Sequence, residues 1–285
     1  MVECVPNFSE GRDEAKVRAI VEAIAGAGVL LLGWESDVDH NRSVVTFAGA
    51  PEAVLEGAIR GAGRAAELID LTAHRGVHPR VGAADVIPFV PLDGSTMEEC
   101  VALANRAGEE IWRRFRVPVY FYESAAKLPG RRRLENVRRP GFDGRPPDVG
   151  DQSAHPTAGA SVVGARGFLI AFNVDLATSD VETATAIARK IRESSGGFQF
   201  VKAIGRYLPS RGCAQVAINF TNFAQTPLER VYQAIAAEAP VRSCQLVGFI
   251  PRRAFEMAPD FFRRAGNFED SRVIENRIDA LKALK

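Results

Sequence analysis

Two histidines in one short segment, Ala73-His74-Arg75-Gly76-Val77-His78-Pro79-Arg80-Val81-Gly82, are the residues of this sequence best suited to moving a proton. Their i, i+4 spacing imitates a helical metal pair. Gly76 and Pro79 break the helix that such a pair needs, however, and no Glu lies between the rings, so zinc is not expected. A loop imidazole beside Arg80 and just before an apolar strand is instead a candidate acid/base, because it titrates near working pH. Either ring could also do no more than close the loop by hydrogen bonds, His74 more readily than His78.

A second concentration is Glu35-Ser36-Asp37-Val38-Asp39-His40-Asn41-Arg42-Ser43. Carboxylates at i, i+2 and i+4 suit the stabilisation of a cation or an acid/base pair, and equally suit a solvated turn. A calcium loop is not expected, since the glycine and the closing bidentate Glu of an EF-hand are missing. The segment Gly159-Ala160-Ser161-Val162-Val163-Gly164-Ala165-Arg166-Gly167-Phe168-Leu169-Ile170-Ala171-Phe172-Asn173 offers glycines for close backbone approach and Arg166 as a carboxylate donor. It is not a dinucleotide fingerprint, because the strand follows the glycines. Arg131-Arg132-Arg133 with Arg138-Arg139 could recognise an anionic tail or lie as a solvated loop. Cys4, Cys100, Cys213 and Cys244 form no C-x-x-C pair and read as reduced, buried thiols.

These residues need a scaffold, and the apolar spacing supplies one. Val2 to Pro6 reads as a strand, Ser9 to Ile24 as a helix capped by Ser9, and Val29 to Leu32 with Ser43 to Phe47 as a hairpin around the acidic loop. Pro51 starts a helix to Leu68, and Val86 to Val90 is a strand whose Pro88 predicts an edge or irregular position. A helix from Thr96 to Arg114 and a strand from Val119 to Tyr122 follow. Residues 127–158 carry scattered prolines, including Pro140, and almost no apolar periodicity, so they read as a long loop or linker. Beyond them come a strand from Gly167 to Val174, a helix from Ser179 to Arg192, strands Phe200 to Tyr207 and Ala214 to Phe220, a helix from Thr226-Pro227 to Ala237 and a closing strand Ser243 to Ile250. Asn267 to Leu284 reads as an amphipathic packing helix. The β-α-β-β-α-β order occurs twice. It predicts an α/β (α+β) fold of two ferredoxin-like sandwich subdomains, residues 1–173 and 174–285, with a substrate groove between them.

Composition narrows the function. A length of 285 residues suits about two domains. The balance of 36 Lys and Arg against 35 Asp and Glu lacks the basic excess of a duplex-coating protein, so no nucleic acid is expected. Neither the opening Met1-Val2-Glu3-Cys4 nor any later run has the length of an export signal or membrane span, which predicts a cytoplasmic protein with no membrane partner.

Several long stretches resemble the glutamate formiminotransferase domain of the formiminotransferase-cyclodeaminase family. They are Glu3-Cys4-Val5-Pro6-Asn7-Phe8-Ser9-Glu10-Gly11-Arg12, Asn41-Arg42-Ser43-Val44, His74 to Pro91, Val119 to Ala126 and Gly164 to Asn173. Val201-Lys202-Ala203-Ile204-Gly205, Gln215-Val216 with Asn219, and Thr226-Pro227 fit as well. The resemblance implies transfer of the formimino group of N-formimino-L-glutamate to N5 of tetrahydrofolate, with tetrahydrofolate as co-substrate and no metal. It puts the catalytic histidine on His78 and the family's acidic group on Glu35, with Asp37 and Asp39 as rivals. It puts folate on Gly164, Ala165, Arg166, Gly167, Phe168, Leu169, Ile170, Ala171, Phe172 and Asn173, with a second contact at Lys202, Ala203 and Ile204. Arginines such as Arg42, Arg80 or Arg166 suit the substrate carboxylates. The resemblance also implies a homodimer, and, since the sequence stops near the end of the transferase domain, a separate cyclodeaminase. The rivals are a formiminotransferase with another donor, such as formiminoglycine, and a non-catalytic folate or amino-acid sensor.

Overall fold

Pro6 has no N–H to donate, so the first strand forms as two pieces, β1 (Val2–Cys4) and β2 (Asn7–Phe8). The computed structural model describes residues 1–139 and 146–284; Pro140 and Lys285 lie outside the described residues. Pro88 sits in the centre of β5 (Ala84–Pro91), not at an edge, and its carbonyl accepts from Val5 N at 3.3 Å across the break between β1 and β2. Its missing donor therefore falls where the ladder is already interrupted. The expectation of an irregular position holds, while that of an edge does not.

The expected Ser9 cap is also corrected. Ser9 is buried and its hydroxyl donates to the Gly82 carbonyl at 2.7 Å, while α1 (Glu14–Ala25) starts later, capped by Asp13, which accepts from Ala15 N and Lys16 N. Between them Glu10 Oε1 accepts from Gly11, Arg12 and Asp13 N–H, so a carboxylate holds the chain in a loop where apolar spacing had suggested helix. β3 (Leu30–Asp37), β4 (Arg42–Gly49), α2 (Pro51–Leu68), α3 (Met97–Phe115, with a Thr96/Glu99 capping box) and β6 (Val119–Glu123) follow. A five-residue helix α4 (Leu134–Arg138) precedes β7 (Ser161–Ala165).

These strands make one seven-stranded sheet: β3 pairs β4, β4 pairs β1 and β2, both pair β5, and β7 and β6 are added in parallel. The interleaved β-α-β-β-α-β core is there, extended by β6, the strand expected at Val119 to Tyr122, and by β7, which the sequence reading did not place. α1, α2 and α3 cover one face through Ile20, Ile24, Ile59, Ala104 and Ile111, which pack with Phe47, Ile87 and Phe89. The described residues of the 127–158 stretch are packed, not a linker. Leu134 and Val137 of α4 pack with Tyr120, Tyr122 and Val162, and Arg131 is buried in an ion pair with Asp148 at 2.7 Å.

The second unit holds β8 (Ile170–Leu176), α5 (Val181–Ile191), β9 (Val201–Leu208), β10 (Cys213–Phe220), α6 (Leu228–Ala236) and β11 (Val241–Val247). Its four strands are all antiparallel in the order β11-β8-β10-β9. Phe172, Val216, Ile187 and Ile235 form its core. α7 (Arg252–Met257) and α8 (Pro259–Arg263) add Ala254, Phe261 and Phe262 to that core. α9 (Ile274–Ala283) is shorter than the expected terminal helix, because Asn267 is spent bonding Leu246 N and O. The units divide between Arg166 and Gly167, not after Asn173, because Ile170 to Asn173 pair with β10 and β11. The strand expected from Gly167 to Val174 is β8, starting three residues later, while β7 precedes it in the first unit. No helix among the described residues is long and apolar enough to cross a membrane.

Gly164 on β7 shows how tightly the first sheet is packed. A Cβ there would meet both the ring and the carbonyl oxygen of Tyr122 at 2.5 Å, and the carbonyl cannot swing away without breaking the ladder. Gly164→Ala is therefore expected to cost about 1–3 kcal/mol. Urea unfolding checks this: the midpoint falls while the slope with denaturant stays unchanged.

Candidate active site

Three backbone-directed bonds join the two polar loops that the sequence shows far apart. Val77 N donates to the Asp39 carbonyl at 3.1 Å, Asn41 Nδ2 to the Arg75 carbonyl at 3.0 Å, and His74 Nε2 to the Asn41 carbonyl at 2.9 Å. Asn41 has φ 46°, a left-handed turn that asparagine tolerates, and its Oδ1 accepts from Gly11 N at 3.0 Å. Gly11 must be glycine, because a Cβ would strike the Arg42 backbone nitrogen at 2.5 Å. Asp37 closes the turn by accepting from the Asp39 and His40 N–H groups. The acidic loop is thus a built support for the histidine loop.

Hydrogen bonding separates the two histidines. Arg80 Nε donates to His74 Nδ1 at 2.7 Å, so that nitrogen's lone pair is occupied and the proton sits on Nε2, bonded to Asn41. Burial, with the Arg80 charge adding to it, lowers the His74 pKa against the Asn41 bond, which raises it. His74 closes the loop. His78 Nδ1 lies 2.7 Å from the Pro79 carbonyl oxygen, which can only accept, so Nδ1 carries the proton and Nε2 is the basic nitrogen. Burial lowers the His78 pKa well below the ordinary value, Arg42 and Arg138 add to this, Asp85 opposes them and His40 contributes a further lowering. The His40 ring centroid is 5.7 Å from that of His78.

Asp85, wholly buried in β5, is the hub of the cluster. Its Oδ2 accepts from Arg42 Nη1 at 2.6 Å and from Arg138 Nη2 at 2.7 Å, and its Oδ1 from Val81 N at 2.6 Å. Burial raises its pKa, but the two guanidiniums and the amide outweigh it and hold the carboxyl well below the usual range. Arg42 also donates from Nε to Asn7 Oδ1 at 3.1 Å, which ties β4, β2 and β5 together under the ion pairs.

Of the other expected site residues, Glu35 pairs with Val44 and Asp37 with Arg42 across β3 and β4, so Glu35 lies on the sheet face that carries Arg42. Asp39 is buried and supports Val77 through its main chain. Arg80 is spent on His74 and the Leu71 carbonyl, which gives it a role in shaping the loop. Gly164 and Ala165 lie on β7, and Arg166 sits beside the Tyr122 phenol, whose pKa burial pushes up to about 12. Gly167, Phe168 and Leu169 connect the units, and Ile170 to Asn173 lie on β8. Ala165, Ile170, Phe172 and Ala203 turn their side chains into apolar cores, whereas Ala171 and Asn173, like Lys202 and Ile204, alternate onto the other face of the second sheet. Among the described residues no group of three His, Cys, Asp or Glu could hold a metal ion.

Asp85, Asn7 and His40 were missed as functional candidates, and Arg138 was singled out only within the arginine cluster that could recognise an anionic tail. Asp85 did carry a signal: a lone carboxylate inside the apolar run Ala84-Asp85-Val86-Ile87-Pro88-Phe89-Val90 must find cations when buried. Nothing in the sequence set Arg138 apart from its cluster, of which Arg132, Arg133 and Arg139 are exposed.

Residues 1–166 match the family model for the formiminotransferase domain, N-terminal subdomain, and residues 171–281 match that for the formiminotransferase domain. The chain is 41% identical over 297 residues to glutamate formimidoyltransferase of Thermoplasma acidophilum, covering 98% of this chain and 97% of the relative. It is 39% identical over 294 residues to glutamate formimidoyltransferase of Streptococcus pyogenes serotype M1, covering 98% of each. Formimidoyltransferase-cyclodeaminase of Rattus norvegicus is 41% identical over 283 residues, which are 92% of this chain and 52% of the relative.

Proposed function

The chain belongs to the formiminotransferase family, and from that premise we propose that it transfers the formimino group of N-formimino-L-glutamate to N5 of tetrahydrofolate, giving 5-formiminotetrahydrofolate and L-glutamate. The observation that carries the reading is the state of His78. Its Nδ1–H is held by the Pro79 carbonyl and its protonation is disfavoured by burial and two nearby guanidiniums, so Nε2 is a free base at neutral pH.

In this reading the N5 lone pair attacks the amidine carbon and forms a tetrahedral adduct. His78 takes the N5 proton and returns it to the glutamate nitrogen as the C–N bond to glutamate breaks, so no external acid is consumed. Glu35 favours the amidinium form of the donor; it lies with Asp37 on the Arg42 face, but Asp37 is committed to the turn, and Asp39 serves the loop through its main chain. Arg42 holds a donor carboxylate, and Arg80 acts through His74 by shaping the loop. Folate lies along the Gly164 to Asn173 stretch and Lys202 to Ile204. The further partners in this reading are a second copy of the chain, as a homodimer, and a cyclodeaminase that consumes the product, an activity that the rat relative's name joins to the transferase.

Two assays test this. With tetrahydrofolate as acceptor, kcat/KM is expected to be higher for N-formimino-L-glutamate than for N-formiminoglycine; binding of folate without transfer from either donor would favour a sensor. The pH profile gives the second. Only neutral His78 can accept the N5 proton, and its pKa is lowered, so kcat/KM stays level as pH falls through about 6.5, where an ordinary histidine titrates, and drops only below it. A drop centred at or above that value counts against His78 as the base.

A further inference from the structure

Arg138 belongs to a segment with no apparent tie to catalysis, yet it shares one buried oxygen with Arg42. Asp85 Oδ2 accepts from both guanidiniums, and Oδ1 from the Val81 amide and, at 3.4 Å, the Gly82 amide, so its acceptor sites are taken. Two cations on one anion leave the Arg42–Asp85–Arg138 cluster with one net positive charge. His78 adds none while neutral. The Arg138 side chain keeps 16% of its surface accessible and that of Arg42 keeps 12%, so neither cation is sealed off. Arg138 Nε–H is buried without an acceptor among the described residues, so Asp85 does not fully satisfy the guanidinium.

We propose that Arg138 is the specificity residue for the donor, binding the second carboxylate that distinguishes formiminoglutamate from formiminoglycine. The proposal rests on the transferase reading and deepens it. A dicarboxylate bearing one amidinium has one net negative charge, which the cluster matches, whereas a formiminated monocarboxylate is a neutral zwitterion and leaves the cluster's charge unanswered. Two guanidiniums fixed on one carboxylate also present a preorganised pair of forks, one for each donor carboxylate. The anchoring is built in. Leu134 and Val137 bury α4 against Tyr120 and Tyr122, so the helix end that carries Arg138 is held at Asp85.

The test uses the full chain with Arg138→Gln and Arg138→Lys, each checked by thermal unfolding. Arg138→Gln is expected to raise KM and the calorimetric Kd for N-formimino-L-glutamate about ten-fold or more, to leave KM for tetrahydrofolate unchanged, and to shrink the preference over N-formiminoglycine. Groups facing His78 are Arg42, Arg138, Asp85 and His40, so removing one cation also moves the acid limb of kcat/KM to higher pH. Arg138→Lys keeps the charge, hence the limb, but loses the fork and weakens donor binding. A folded Arg138→Gln protein with unchanged donor KM, or with equal losses for both donors, overturns the proposal. If the wild-type protein binds N-formimino-L-glutamate but transfers nothing, the transferase reading fails while the Kd comparison still decides on Arg138.

Discussion

His78→Ala is expected to lower turnover at least about 10²-fold with little change in tetrahydrofolate affinity, because the substitution removes the proton carrier and leaves the rest of the cluster in place. His74→Ala should behave differently. That ring bonds Arg80 and Asn41, so its loss loosens both loops and lowers stability together with activity. Thermal melts separate the two: His78→Ala unfolds close to wild type while His74→Ala unfolds earlier. Near-normal turnover in His78→Ala would remove the assignment.

Asp85→Asn is expected to have the largest effect on stability. The amide keeps the shape but strips the counter-charge from Arg42 and Arg138, and breaking a buried pair in this way typically costs about 3–5 kcal/mol. The pH dependence carries a sign. The Asp85 carboxyl is depressed in the folded protein, so its stabilisation is complete above the ordinary carboxylate pKa of about 3.9 and is lost as pH falls below that value. Wild-type stability should therefore decline with acid in that window, and Asp85→Asn should be weaker above it and decline less within it. Equal acid slopes for the two proteins would show that Asp85 does not supply the linkage. Donor binding is expected to weaken too, since both guanidiniums lose the group that orients them.

The scaffold was largely legible because apolar spacing reports burial. Val17, Ile20 and Ile24 marked α1, and Phe172, Val174 and Leu176 marked a face of β8. Spacing is silent on two local effects: Glu10, by bonding the backbone, delayed α1, and Pro6, next to the Val5 that bonds Pro88, split the first strand. β7 was missed because Ser161 to Ala165 is short and stands among Gly159, Gly164 and Gly167, so it read as a glycine-bearing segment ahead of the strand from Gly167. Within the site, His78 stood out by residue type. The resemblance already favoured it over His74; which ring nitrogen each backbone carbonyl engages depends on the fold. The placement of Arg80 and Arg138 depends on the fold in the same way. Adjacency to His78 in sequence favoured Arg80, yet Arg80 is spent on His74, while Arg138, 53 residues from Asp85, reaches the hub.

The most direct measurement mixes the purified protein with tetrahydrofolate and N-formimino-L-glutamate, following 5-formiminotetrahydrofolate by its absorbance and L-glutamate by mass spectrometry. The two products are predicted to appear in equal amounts, at a rate that His78→Ala abolishes. Glutamate release without the folate product, or no release at all from a protein that binds both substrates, would contradict the account.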